Sequence, residues 1–230
     1  MEKTKKIVLF IVEGRTEKTA LGTVLGKIYA SEEVKFNIVK GDILAQNPPK
    51  EKDATALVEE RIRDFCEDIY TFSDIKEVVH IGDMDGAFIS DDNIEQSLTK
   101  KTTYNLTTIE AVNIDSIIER NAIKRKNIKV LAAQKNIGGI PYRFFYFACN
   151  MEHVLHNVMN ATRKEKIFLA DSFDVEYGDN PEKFIELMTS SSFCINGDFD
   201  DSWRRMIVPT ADDAVSSLGR FCNLGICFSL

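Results

Sequence analysis

Long hydrophobic runs are absent from this 230-residue sequence. A helix that spans a membrane needs about 20 consecutive apolar residues, whereas the apolar run that starts at Ile7 ends at Val12 and is followed by Glu13. This run is also too short for the hydrophobic region of a secretory signal. We therefore interpret it as a first β-strand, and we expect a cytoplasmic protein without membrane contact.

Paired cysteine motifs are absent as well. The five cysteines are scattered and none belongs to a C-x-x-C pair, which argues against both a disulfide framework and a tetrahedral zinc site. Cys149, His153 and His156 come close together in sequence, but their spacing matches no common zinc pattern and a fourth ligand is missing. We interpret the cysteines as reduced thiols.

Strand and helix patterns alternate along the first ninety residues. Continuous or alternating apolar residues predict strands, and apolar residues at helical spacing predict helices. The order β-α-β-α-β indicates an α/β fold with a central, mostly parallel sheet flanked by helices. The strands are predicted at 6–12, 34–39, 77–81, 128–133 and 142–147, and the helices at 16–30, 53–70, 114–121, 150–160 and from 209 onward. We predict a core of residues 1–135 and a largely helical C-terminal extension, 136–230, packed on it.

Acidic residues follow the first and the third predicted strands. Glu13 comes directly after strand one, and Asp83 and Asp85 follow strand three. Since the carboxyl ends of parallel strands form one edge of a sheet, we expect these three carboxylates to lie within a few ångströms of one another. Glu17 lies in the first turn of the following helix. Such crowding is relieved by hard divalent cations, and Mg²⁺ is usually held by a few carboxylates together with water and phosphate.

The order of these elements resembles the Toprim domain of topoisomerases, primases and several nucleases. The segment Glu13-Gly14-Arg15-Thr16-Glu17-Lys18 is especially similar to the OLD-type and RloB-like Toprim nucleases of bacterial phage defence. The aromatic run that precedes Glu152 is similar to a strand followed by a glutamate-bearing helix in those families. The resemblance implies a Mg²⁺- or Mn²⁺-dependent endonuclease that cuts DNA or tRNA as a toxic effector. It also implies catalytic roles for Glu13, Asp83 and Asp85, and a metal shell completed by Glu17 and Glu152.

Basic residues are concentrated in the middle of the chain. Residues 120–166 hold ten Lys and Arg against two acids, although the formal net charge of the whole protein is −7. This asymmetry is typical either of a basic track for phosphates beside an acidic metal centre or of a solvated helix face. As candidate nucleic-acid contacts we name Lys124, Arg125, Lys129, Lys135 and Arg143.

Two other functions remain open at this point. OLD proteins carry an ATPase domain, whereas no G-x-x-x-x-G-K-[ST] motif occurs in this sequence. The chain is then either a nuclease that receives its nucleotide switch from an ATPase partner, or a non-catalytic regulatory subunit of such a partner. The third hypothesis is an unrelated doubly wound protein that binds a phosphorylated small molecule or acts as a phosphoryl-transfer enzyme, and it predicts Glu13 and Asp83 on opposite edges of the sheet. Homo-oligomerisation is left open by the sequence.

Overall fold

The computed structural model describes residues 5–39, 41–67, 69–98, 101–208 and 216–228. The strands are β1 (Ile7–Val12), β2 (Glu33–Ile38), β3 (Ile75–Asp83), β4 (Ile94–Gln96), β5 (Thr103–Tyr104), β6 (Ile109–Ala111), β7 (Asn136–Ile137) and β8 (Ile140–Phe147). The helices are α1 (Arg15–Ile28), α2 (Ala54–Cys66), α3 (Ile114–Ala132), α4 (Met151–His156), α5 (Arg163–Tyr177), α6 (Pro181–Ser190) and α7 (Phe199–Ile207).

A five-stranded mixed sheet forms the centre of the molecule, in the order β2-β1-β3-β8-β7. Its first four strands are parallel and β7 pairs antiparallel with β8. Every residue of β1 is buried, as expected of a strand with both faces covered by helices. Helices α2, α3 and α7 contribute to the core on one face, and α1, α4, α5 and α6 to the core on the other. The predicted α/β fold with a mostly parallel sheet flanked by helices is confirmed.

The aromatic residues of β8 divide between the two faces of the sheet. Phe144 and Tyr146 belong to one core, and Phe145 and Phe147 to the other. The ring of Trp203 lies 4.7 Å from that of Phe144, and its indole Nε1 donates a 2.9 Å hydrogen bond to the Phe144 carbonyl. Strand β8 is thus anchored on both sides, and its carboxyl end has a defined position beside that of β3.

The predicted strand at 128–133 is wrong, because residues 128–132 form the last turns of α3 and Ala133 is its C-cap. A short apolar run is compatible with either a strand or a buried helix face. Here Ile128 and Leu131 continue a buried stripe that begins at Ile117 and has helical spacing. The stripe includes three polar side chains, those of Asn121, Lys124 and Asn127.

The predicted domain boundary after residue 135 also needs correction. Strand β8 lies C-terminal to it but pairs with β3 over six residues in the main sheet, so residues from both sides of the boundary form one sheet. The segment between β3 and α3, for which the sequence predicts neither a strand nor a helix, contains a second, three-stranded sheet of order β4-β6-β5. The start of the predicted last helix, 209–213, lies outside the described residues. Within the described ranges, no helix combines the length and the apolarity required to cross a membrane.

Candidate metal centre

Three neighbouring parallel strands bring acidic side chains to the carboxyl edge of the main sheet. Glu13 directly follows β1, and Asp83 is the last residue of β3. Asp85 stands two residues further on, in a left-handed conformation with φ of 50°. Its position is fixed by a 2.9 Å hydrogen bond from its backbone N–H to the Cys149 carbonyl. The edge position of Glu13 and Asp83 speaks against the third hypothesis, which needs them on opposite edges.

Asp42 joins this group from the loop after β2. Its Oδ1 accepts hydrogen bonds from the backbone N–H groups of Leu44 and Ala45, at 2.9 and 3.3 Å, at the start of a short 3₁₀ turn. Glu13, Asp42 and Asp85 each offer one carboxylate oxygen, and these oxygens all lie within 4.8 Å of one another. All three residues are half-buried. Hard cations such as Mg²⁺ prefer oxygen ligands of this kind, so the three carboxylates could hold one metal ion.

Lys124 lies inside this acidic group. Its side chain has no exposed surface, and its Nζ lies 2.7 Å from Asp42 Oδ2 and 2.6 Å from Asp85 Oδ2. Burial alone would lower the pKa of this ammonium, but attraction to Asp85 and Asp42 outweighs burial and raises the pKa. A side chain without exposed surface cannot reach the phosphate of a bound nucleic acid. The predicted role of Lys124 as a nucleic-acid contact is therefore corrected to that of a buried counter-ion.

The other predicted acids form a second, adjoining half of the cluster. The Oδ1 of Asp83 accepts a 3.1 Å hydrogen bond from the Met151 backbone N–H at the start of α4. Glu152 is 1% exposed, and Lys166 Nζ lies 2.9 Å from its Oε2. No described residue donates a hydrogen bond to its Oε1. Glu17 is buried and receives a 3.2 Å hydrogen bond from Thr16 Oγ1.

The pKa shifts indicate that carboxylates of the two halves influence one another electrostatically. Burial raises the pKa of Asp83 well above its ordinary value, and the charges of Glu13, Asp85, Glu17 and Glu152 raise it further. Burial likewise raises the pKa of Glu13 well above its ordinary value, although Lys124 opposes this shift. The pKa of Glu17 is raised by burial, with Glu152 adding to the shift. Asp83 therefore interacts with each of the other four predicted metal ligands at this edge of the sheet.

Two glycines leave room for the carboxylates. A Cβ on Gly14 would lie 2.7 Å from Glu17 Oε2, which is closer than such atoms approach. A Cβ on Gly82 would lie 2.8 Å from Leu44 Cδ1, 3.2 Å from the Phe144 ring and 3.5 Å from Glu13 Oε1. The absence of side chains at these two positions allows the strand ends, the loop of Asp42 and the acids to approach closely.

The remaining predicted nucleic-acid contacts do not converge on the cluster. The guanidinium of Arg125 pairs with Asp91 at 3.3 Å, and that of Arg143 pairs with Glu77 at 2.6 Å. Arg143 stands opposite Val79 in the sheet, four residues before Asp83 on β3, which corresponds to about 13 Å along the strand. Lys129 and Lys135 are exposed.

Sequence reasoning missed Asp42 and Lys166. Asp42 follows the second strand of the sheet, as Glu13 follows the first, so the rule that identified Glu13 applies to it as well. Lys166 lies within the basic segment, but nothing in its local sequence indicates an ion pair with a glutamate of another helix.

A comparison of this chain with profiles of known families, with curated proteins and with solved structures finds no match.

Proposed function

We propose that this protein is a nuclease of the Toprim type that uses Mg²⁺ or Mn²⁺ to hydrolyse phosphodiester bonds of DNA or tRNA. One observation carries the proposal. Six carboxylates, supplied from the ends of β1, β2 and β3 and from α1 and α4, lie in one partly buried cluster with two lysines. A core without function would seldom contain such charge, because each buried carboxylate costs free energy unless it is paired or binds a metal.

The donor set fits a hard divalent cation. Glu13, Asp42 and Asp85 present only carboxylate oxygens within 4.8 Å of one another, as Mg²⁺ and Mn²⁺ prefer. When bound, such a cation polarises a phosphate and lowers the pKa of a coordinated water. Glu13 has a raised pKa because of burial, and we assign it the role of the general base that takes the proton of the attacking water. Lys124 holds Asp42 and Asp85 in place through its two ion pairs.

Cleavage assays on the purified chain test this proposal. Supercoiled plasmid, single-stranded DNA and total tRNA are incubated with Mg²⁺, with Mn²⁺ or with EDTA. We expect cleavage of at least one substrate, dependent on the metal and weakened by about two orders of magnitude or more in Asp83→Asn.

Glu77→Gln is the matched control, because it removes a carboxylate from the amino end of the same strand β3. We expect it to retain cleavage within about threefold, since surface ion pairs contribute little. Cleavage that persists in Asp83→Asn, or no metal-dependent cleavage of any substrate, contradicts the proposal.

As the resemblance implies, we also propose that cleavage arrests the growth of the host cell as a phage-defence response. Expression of the wild-type chain should slow bacterial growth, and expression of Asp83→Asn at the same level should not. Equal growth of the two strains at equal protein levels speaks against the effector role while leaving the assay of the isolated enzyme unaffected.

A non-catalytic regulatory subunit is the second candidate, and Lys124 favours it. This ammonium already pairs with two of the three candidate metal ligands, so the carboxylates have an internal counter-ion. Titration calorimetry with Mn²⁺ separates the two candidates. Binding that is lost in Asp85→Asn supports the nuclease, whereas no binding by the wild type, together with co-purification of an ATPase, supports the regulatory subunit.

A further inference from the structure

A groove leads away from the candidate metal centre between α1 and α5. It consists of two adjoining hollows of about 510 and 1140 Å³, which share Arg15 and Thr19 in their walls. The smaller hollow lies between the first turns of α1 and α5, with Ile167 and Ala170 in its wall. The larger one continues along α1 to the edge strand β2. We call the two hollows together the α1–α5 groove.

The smaller hollow reaches the acidic cluster. Two of its lining residues, Thr16 and Lys166, contact acids of the cluster. Thr16 Oγ1 donates to Glu17 Oε2 at 3.2 Å, and Lys166 Nζ pairs with Glu152 Oε2 at 2.9 Å. A chain lying in the groove would therefore pass directly beside Glu17 and Glu152, in the half of the cluster that adjoins Glu13, Asp42 and Asp85.

Three basic side chains in this groove have no ion-pair partner among the described residues. Arg15, Lys18 and Arg163 are exposed and line the hollows. Within the described parts of the chain, none of the three forms an ion pair or a side-chain hydrogen bond, in contrast to Lys124, Arg125 and Arg143. A phosphate can therefore bind these cations without breaking an internal contact.

The acids that also line the groove stand further from the cluster or are paired. Asp171 and Asp174 lie two and three turns along α5 from Arg163. Glu33 pairs with Lys35 at 2.7 Å, and Glu32 pairs with Lys76 at 2.6 Å. The free positive charge is concentrated where α1 and α5 begin, which is the end of the groove nearest to the acidic cluster.

We propose that the α1–α5 groove binds the phosphate backbone of the nucleic-acid strand to be cleaved, through Arg15, Lys18 and Arg163. The assignment rests on the proposed nuclease function. It replaces the binding surface expected from the basic middle segment, from which only Arg163 contributes to the proposed phosphate contacts. Contacts of this kind act through the backbone, so the groove positions the strand without reading its sequence.

Binding measurements in EDTA test the groove separately from catalysis. A fluorescently labelled single-stranded oligonucleotide is titrated with the wild type and with the triple variant Arg15→Gln/Lys18→Gln/Arg163→Gln at several NaCl concentrations. We expect the groove variant to bind at least tenfold more weakly at low salt. The slope of log affinity against log salt should decrease by about 2, because each phosphate contact with a single strand contributes about 0.7.

The triple variant Lys126→Gln/Lys129→Gln/Lys135→Gln is the matched control. It removes the same charge from three lysines that are also exposed, and we expect its affinity to stay within about twofold of the wild type. All six positions are exposed, so both variants should keep the wild-type circular dichroism spectrum and melting temperature.

The assignment is overturned if the groove variant binds the oligonucleotide as tightly as the wild type. It is also overturned if the control variant loses as much affinity as the groove variant, or more. Preferential binding of polyglutamate to the groove overturns it too, since that result indicates an acidic protein partner. Failure of the proposed nuclease function gives a different result: no metal-dependent cleavage, with the loss of oligonucleotide binding still confined to the groove variant.

Discussion

The two ends of the main sheet differ in the balance between acidic and basic side chains. At the amino end, charges are matched one to one: Arg143 pairs with Glu77 and Lys76 with Glu32, each at 2.6 Å. At the carboxyl end, six carboxylates share the ammonium groups of Lys124 and Lys166 and the guanidinium of Arg120, which donates to the Asp85 carbonyl. The first arrangement is an ordinary surface that adds little to stability. The second is unfavourable to the fold by itself, and a bound cation would relieve it.

Uncompensated charge at the carboxyl end is thus the feature that separates the candidate site from the rest of the molecule. The raised pKa values of Glu13 and Asp83 express the same imbalance, since burial and neighbouring carboxylates both disfavour their charged forms. We therefore expect the stability of variants at the carboxyl end to respond to divalent cations and that of variants at the amino end not to respond.

The largest effect is expected from Lys124→Met. This change leaves Asp42 and Asp85 partly buried without the ammonium that pairs with them. Breaking a buried ion pair in this way typically costs about 3–5 kcal/mol. Urea unfolding in EDTA should show a loss of this size, and millimolar Mg²⁺ should restore part of it by neutralising the same carboxylates.

Arg143→Met provides the comparison at the amino end. Its partner Glu77 lies in a pair that is partly exposed, so we expect a loss of about 1 kcal/mol that Mg²⁺ does not change. The contrast between the two ends fails if both variants lose the same stability, or if Mg²⁺ restores both equally.

A smaller effect is expected in the pH dependence of stability. The pKa values of Glu13 and Asp83 are raised in the folded protein. The folded state therefore retains protons that the unfolded chain releases above about pH 4, and stability is lost as the pH rises toward the folded-state pKa values. Unfolding free energies measured in EDTA should decrease between about pH 5 and pH 8.

Asp83→Asn should flatten this decrease and make the protein more stable at pH 8, because one carboxyl group with a raised pKa is removed. Asparagine keeps the oxygen that accepts from the Met151 N–H. Glu77→Gln, at the other end of β3, should leave the slope unchanged. A wild-type stability that rises over this pH range would show that the crowding at the carboxyl end is compensated by other means.

Much of the fold and part of the candidate site follow from local sequence. The continuous apolar run of β1 predicts a strand buried on both faces, and Glu13 follows it directly, so the position of this carboxylate at the sheet edge could be expected. The same holds for Asp83 and β3. In both cases the side chain takes its position from the strand that carries it.

For Lys124, the local sequence does not predict the ion pairs that the side chain forms. Ile117, Asn121, Lys124, Ile128 and Leu131 recur at spacings of three and four and are all buried on α3. A strand at 128–133 would interrupt this stripe and leave Lys124 among the surface cations. Even with the helix assigned correctly, the carboxylates that pair with Lys124 come from loops 39 to 82 residues away, and no local pattern specifies such contacts.

Two glycines at the ends of the same helix give the smallest and most specific test. In Gly14→Ala, the new Cβ meets Glu17 Oε2 at 2.7 Å. That carboxylate is the end of a flexible side chain and can move away, so the unfolding free energy should change by less than about 0.5 kcal/mol. Because the carboxylate is displaced, the Mn²⁺ affinity should fall roughly tenfold. In Gly26→Ala, the new Cβ has no atom within 4 Å, and a gain of about 0.5–1 kcal/mol with unchanged Mn²⁺ affinity is expected. Equal Mn²⁺ affinities in the two variants, measured by titration calorimetry, would remove Glu17 from the metal centre and restrict it to Glu13, Asp42, Asp85 and their neighbours on β3 and α4.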